Sequence, residues 1–459
     1  MARLPGPPLW QQAATGMRMR RDPLGELVKL HERYGPVFAT GAGPLRFVWL
    51  IGPDAHRDLF SPQLDRFSWR EATKPLLVVD GDTAIVLSDG DDHARRRRIV
   101  QPAFSIRRID AHVPLMVAEI RRTLSGWTIG REFDAYQELR RCVRRIVTRA
   151  LFGERLSGQA DELGDRLQPA IDFVDRPMPH IKVDVPGTPW HRAKVARRRT
   201  DELVFTEIAA RRRGEVAAGD DVLSWLLEAA DPEGTGARLT DNEVRDQVVS
   251  LIAAGYETTS AAVGWTLWAS LANAGVWEQL RAEVGDEPIT ADRVKTFTYL
   301  DGVVSESLRL WPPGAVAGRQ VLEDIDAAGV RVPAGSIALY SPYVTQRLPE
   351  LWPDPLEFRP ERWDKSAPSY VEPVPLSYVP FGAGPRRCLG FAFALTEIKV
   401  ILAEVVRAVD LQLLDTTEPA RESIASMRPK GGVAVRVSGV RPQPNPAAAT
   451  ASPRTPAGG

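Results

Sequence analysis

Residues 378–390 read Tyr-Val-Pro-Phe-Gly-Ala-Gly-Pro-Arg-Arg-Cys-Leu-Gly, and a helical pattern, FAFALTEIKVILAEVV, follows at once. Cys388 therefore stands in a glycine-rich loop just before a helix, where the helix N-terminus and the neighbouring Arg386 and Arg387 favour thiolate over a thiol of ordinary pKa about 8.5. Gly382, Gly384 and Gly390 let the backbone turn sharply and leave room for something flat. A lone activated thiolate can be a nucleophile or a metal ligand, and a buried inert cysteine is the plain alternative. The nucleophile reading calls for a histidine base, and all six histidines (31, 56, 93, 112, 180 and 191) precede residue 240, which leaves a partner in space open.

A second unusual stretch is Leu251-Ile-Ala-Ala-Gly-Tyr-Glu-Thr-Thr-Ser260, where small residues sit beside an acid and alcohols. It lies in the middle of a proline-free helical run from Thr240 to about Leu271, opened by Thr240 and Glu243 in capping-box spacing. At ~1.5 Å per residue such a helix is ~45 Å long and must cross the molecule.

The spacing Phe381-x-x-Gly384-x-Arg386-x-Cys388-x-Gly390 resembles the haem-binding signature of the cytochrome P-450 superfamily at every fixed position. The resemblance implies that Cys388 is the thiolate ligand of a haem b iron, favouring O–O cleavage, with Phe381, Arg386 and Gly390 lining the cofactor. It also predicts an acid-alcohol pair in a long central helix, which Glu257 and Thr258 supply. Thr258 can bond the Ala254 carbonyl one turn back and loosen the helix, and Glu257 can feed protons through water. Taken alone, the same pair reads as a solvated acid and a mid-helix threonine.

Three more motifs follow the resemblance in order. Glu306 and Arg309 share a helix face, and with Arg362 of Pro-Glu-Arg-Trp they are expected to form a structural cluster behind the haem loop. His93 and Arg97, one turn apart in Gly90-Asp-Asp-His-Ala-Arg-Arg-Arg-Arg98, together with Arg319, are expected to bind haem propionates. The arginine run can equally be a solvated face or a docking patch. Gln346, where many relatives carry histidine, and Ala383, where glycine is frequent, are departures that leave the assignment intact.

The fold class expected is mainly α with a small β-rich lobe, the cytochrome P-450 fold with its long central helix over the haem. Helical periodicity covers 107–126, 135–152, 160–174, 190–213, 221–230 and 241–272, and strand patterns cover 36–40, 46–51, 338–340 and 433–437. One catalytic domain, 23–438, is expected between an aperiodic N-terminal extension, 1–22, and a disordered Pro/Ala-rich tail, 439–459. In 459 residues, Lys+Arg 59 balance Asp+Glu 59, which excludes a polyelectrolyte acting on nucleic acid, and two cysteines without C-x-x-C spacing exclude a disulfide scaffold.

The resulting expectation is a soluble, cytoplasmic, monomeric haem-thiolate monooxygenase without a membrane anchor. It would insert one oxygen atom from O2 into a C–H or C=C bond of a hydrophobic substrate, in polyketide or terpenoid metabolism, with electrons from a separate ferredoxin and its reductase. The pocket is expected from 67–87, the apolar part of 170–190, 315–317 and 424–427. Alternatives are peroxygenase, isomerase or coupling chemistry on the same haem, or a haem sensor without turnover.

Overall fold

The computed structural model describes residues 4–41, 46–61, 64–175, 182–217, 219–234 and 236–441. The central element is the helix Asp241–Ala272, 32 residues long. Its start is fixed as the sequence requires: Thr240 Oγ1 accepts from the Glu243 backbone N–H at 3.2 Å, and Glu243 Oε2 accepts from the Thr240 N–H at 3.0 Å. The helices Ala135–Phe152, Thr298–Leu310 and Phe391–Ala408 pack around it. Together they bury one large apolar core that includes Trp265, Tyr256, Ile401 and Val406. A helix this apolar on most sides is stable only when surrounded, which places it inside.

The β lobe has its own smaller core, around Val48, Leu59, Phe60, Phe67 and Tyr340. Its five-stranded sheet runs in the order Val37–Thr40, Phe47–Leu50, Ile337–Tyr340, Ala317–Val321, Phe67–Ser68. Among the described residues, only the pairing of Phe47–Leu50 with Ile337–Tyr340 is parallel, joining segments almost 300 residues apart. A second sheet orders Glu132–Asp134, Ala434–Val440 and Val409–Leu413. Asp134 links this sheet to the helices, because its Oδ1 caps Tyr136 N at 3.0 Å and accepts from Val433 N at 2.9 Å.

The predicted long helices match the observed ones within a few residues, including Ile106–Leu124, Ala160–Val174 and Pro189–Arg212. The N-terminal extension differs from expectation, since Gln12–Arg21 is helical. Tertiary contacts hold it: Gln12 Nε2 donates to Pro7 O at 2.6 Å, Gly41 N donates to Gln12 Oε1 at 2.8 Å, and Arg18 pairs with Glu26 at 2.7 Å. Beyond Arg441, the proposed tail lies outside the described residues.

Candidate active site

The cysteine loop is shaped by two glycines with φ of +65° each, Gly382 and Gly384. A Cβ at Gly384 would lie 2.3 Å from the Phe60 carbonyl oxygen, so only glycine lets the loop press against the β lobe. The loop closes on itself where Cys388 N donates to Phe381 O at 2.9 Å, and Phe381 packs 6.3 Å from Phe391. Gly390 is the N-cap of Phe391–Ala408. Cys388 is exposed, unlike the buried Cys142. Enough protein surrounds it that burial pushes the thiol up, against the opposing pull of the Gly390 N–H, Arg97 and Arg387. Of the two neighbouring arginines expected to favour the thiolate, Arg387 does so and Arg386 does not. Arg386 turns away, donating to Ser88 O at 2.6 Å and Asp89 at 3.2 Å.

Along the central helix, residues from Glu243 to Ser270 are mostly buried. Leu251, Ala254, Gly255 and Thr258 are the more accessible stripe, at the i, i+3, i+4, i+7 spacing of one face. Thr258 Oγ1 donates to the Ala254 carbonyl at 2.7 Å, the back-bond its position predicts. Glu257, one residue and about 100° away, points into the protein instead. It is 4% exposed and ion-paired with Arg140 of Ala135–Phe152, whose Nη2 also donates to Gln168 Oε1 at 2.7 Å. Tyr256 Oη donates to the same Gln168 oxygen at 2.8 Å. Sequence reasoning missed Arg140 and Gln168, and no local signal distinguishes Arg140 from the other arginines of its helix.

The arginine run on Gly90–Val100 is divided by partner, which removes the solvated-face reading. Arg95 and Arg96 both pair with Glu243, and Arg98 meets Asp231 at 2.9 Å. Arg97 has no carboxylate; its Nη2 donates to Arg387 O at 3.1 Å, which brings it to the cysteine loop. His93 is buried on the same face, and burial together with Arg386 and Arg97 holds its pKa down at about 3. Arg319, 2% exposed on Ala317–Val321, has no partner for Nε or Nη1. Burial, aided by Arg386, lowers it to about 9, with Tyr340 opposing. Arg97 and Arg386 thus depress their basic neighbours, Arg97 acting on His93 and Arg386, and Arg386 acting on His93 and Arg319, while Asp89 pairs with Arg386. A ligand carrying two carboxylates fits this imbalance, since buried charge demands a partner.

Behind the loop, Glu306 and Arg309 are both fully buried and pair at 2.7 Å. Arg362 Nε lies 3.3 Å from Glu306, and Trp363 Nε1 donates to Glu306 Oε2 at 2.9 Å. Arg309 also donates to the carbonyls of Gln346, Pro355 and Glu357 at 2.8, 2.8 and 3.1 Å. Gln346 is more than a tolerated departure. Its amide donates to Leu308 O and Arg309 O at 3.0 and 2.9 Å, and its Oε1 accepts from Val379 N at 2.9 Å, tying this helix end to the cysteine loop.

The family model for cytochrome P-450 matches residues 4–435. The chain belongs to the cytochrome P-450 family. Cytochrome P-450 139 of Mycobacterium tuberculosis is 42% identical over 429 residues, covering 91% of this chain and 98% of that one. Cyclooctat-9-en-7-ol 5-monooxygenase of Streptomyces melanosporofaciens is 33% identical over 402 residues, covering 85% of each. Among solved structures, the retinoic-acid-bound cyanobacterial CYP120A1 superposes with a TM-score of 0.80 at 28% identity, over 89% of this chain and 92% of that one. The protein is accordingly a cytochrome P-450 monooxygenase with the mainly helical fold of that family.

The expected P-450 pocket segments converge in part. Leu76, Leu77, Ile85 and Val86 are half-buried apolar side chains, and Ala315 N donates to Ile424 O at 3.1 Å, joining two of the segments. Residues 176–181 of the third segment lie outside the described residues. Among the described residues, no helix is long and apolar enough to cross a membrane.

Proposed function

We propose that this cytochrome P-450 holds haem b through the Cys388 thiolate and inserts one oxygen atom from O2 into a C–H or C=C bond of a hydrophobic substrate. The observation that carries the reading is the accessible Cys388 in a loop met by Arg97, together with the buried Arg319 left without partners for Nε and Nη1. When bound, haem supplies an iron at which O2 can be reduced and split. His93, Arg97 and Arg319 bind the carboxylates of the cofactor, and Phe381, Arg386 and Gly390 frame it. Ala254 and Gly255 would leave room for it on the accessible face of the central helix. Thr258 holds a proton at Oγ1 on the accessible face, and Glu257 passes protons toward it through water, with Arg140 fixing where its carboxylate sits. Glu306, Arg309 and Arg362 keep the cysteine loop in place without touching the reacting atoms.

The substrate class favoured is a terpenoid-like molecule, largely hydrocarbon with an oxygenated group. The apolar pocket segments support it, as do the alcohol in one relative's name and the retinoic acid bound to another. A polyketide is the other class of this kind. Electrons arrive from a separate ferredoxin and its reductase, and the protein works as a cytoplasmic monomer.

The test is the absorption spectrum of the purified protein, reduced and exposed to carbon monoxide, followed by titration of terpenoids and polyketides into the ferric form. A strongly red-shifted Soret band is expected for Cys388 ligation, absent in Cys388→Ala. A band typical of histidine ligation, or no haem uptake, would overturn the reading.

A further inference from the structure

Beyond the basic groups already described, the cationic end of the site contains an indole with no role assigned. Trp69, 9% exposed, opens the short helix Trp69–Ala72 next to the strand Phe67–Ser68. The guanidinium carbon of Arg319 lies 4.0 Å from its ring centroid, and that of Arg386 lies 4.1 Å away. Phe60 and Phe67 complete an aromatic surround for Arg319 at 5.1 and 5.6 Å. The backbone of Trp69 is anchored by the carboxylate that also meets Arg386: Asp89 accepts from the Trp69 backbone N–H at 2.9 Å, Ser68 Oγ at 2.6 Å and Arg386 Nη2 at 3.2 Å.

We propose that Trp69 is a positioning residue for the cofactor's carboxylates, acting through the Arg319 guanidinium that lies over its ring. The inference rests on the haem-binding reading above. A ring face attracts a guanidinium yet leaves the in-plane N–H donors free, whereas a carboxylate in the same place would occupy them. That is the state of Arg319, buried with Nε and Nη1 unpartnered. Trp69 therefore keeps Arg319 fixed in position and still available to an incoming dianion, while Arg386 on the same ring is held by Asp89 and the Ser88 carbonyl. Asp89 anchors the Trp69 backbone and the Arg386 guanidinium at once, which ties the start of Trp69–Ala72 to the cysteine loop.

The experiment compares haem with haem dimethyl ester, whose carboxylates are neutralised, in wild-type protein, Trp69→Leu and Trp69→Phe. Each cofactor is loaded into the protein, and its rate of loss to excess apomyoglobin is followed by absorbance. Wild type is expected to retain haem much longer than the ester. Trp69→Leu should lose haem about tenfold faster with little change for the ester, narrowing the ratio by about the same factor, the equivalent of ~1.4 kcal/mol. Trp69→Phe, which preserves a weaker ring face, should narrow it by about threefold. Equal acceleration for both cofactors, or an unchanged ratio, would show that Trp69 merely packs. If Trp69→Leu does not fold, the ratio in Trp69→Phe decides alone. Failure of wild type to take up haem with a red-shifted reduced carbon monoxide band would instead remove the haem-binding reading itself.

Discussion

Thr258 and Glu257 are neighbours in sequence and opposites in setting. The hydroxyl lies on the accessible stripe, back-bonded to Ala254, and the carboxylate lies in a polar knot with Arg140. Thr258→Ala should therefore leave substrate binding intact and divert reducing equivalents to peroxide; product formed per NAD(P)H consumed is the measurement, and full coupling would remove the proton role. Glu397, on the helix that follows the cysteine, is a different kind of acid. It is fully buried, neither carboxylate oxygen has a hydrogen-bond partner, and burial raises its pKa well above the ordinary value. A carboxyl raised in the folded state stabilises below its unfolded pKa and loses that contribution as pH rises toward its folded pKa. As pH rises above the ordinary carboxylate pKa toward the raised folded one, wild-type stability should fall relative to Glu397→Gln, by up to about 1.4 kcal/mol per pH unit, read from urea unfolding at several pH values.

At the scale of elements, the short helix Thr298–Leu310 does more than its length suggests. Glu306 collects Arg309, Arg362, Trp363 and the Arg359 N–H, which lies 3.1 Å away. Removing one partner of a buried pair leaves the other charge uncompensated, at about 3–5 kcal/mol. Glu306→Ala should yield little folded protein, whereas an exposed ion pair such as Arg57 with Asp54 should tolerate the same change without measurable loss. Expression yield and the midpoint of thermal unfolding distinguish these outcomes. The cysteine loop makes a parallel case. Gly384→Ala meets both a φ of +65° and the Phe60 carbonyl, so the loop must shift, and haem uptake should drop even where the chain folds.

At the scale of the molecule, the helical core and the β lobe meet where the basic groups gather. Arg319 comes from the sheet, His93 and Arg97 from Gly90–Val100, and Arg386 from the cysteine loop. Repulsion among the three guanidiniums, with His93 held neutral, lowers the stability of the cofactor-free protein, so haem should raise the melting temperature by more than its dimethyl ester does. Calorimetry of the two loaded forms against the cofactor-free chain measures this, and equal shifts would mean that the basic groups contribute nothing to retention.

Much of this protein is legible from its residues in order. The long helices follow from apolar periodicity, the start of the central helix from Thr240 and Glu243, and the cysteine loop from its glycines, because local conformation is written in local sequence. Short strands such as Ile325–Ala327 and Val409–Leu413 were not legible, since a few residues carry too little pattern and their pairing is decided by distant partners. The same reason separates the sites. Which residue types gather was readable from motifs, but which arginine of a run of four faces the cysteine, which helix holds Glu257, and which aromatic ring lies under Arg319 were decided by packing. Those contacts join residues scores to hundreds of positions apart, and only the tertiary structure sets the distances on which charge and hydrogen bonding depend.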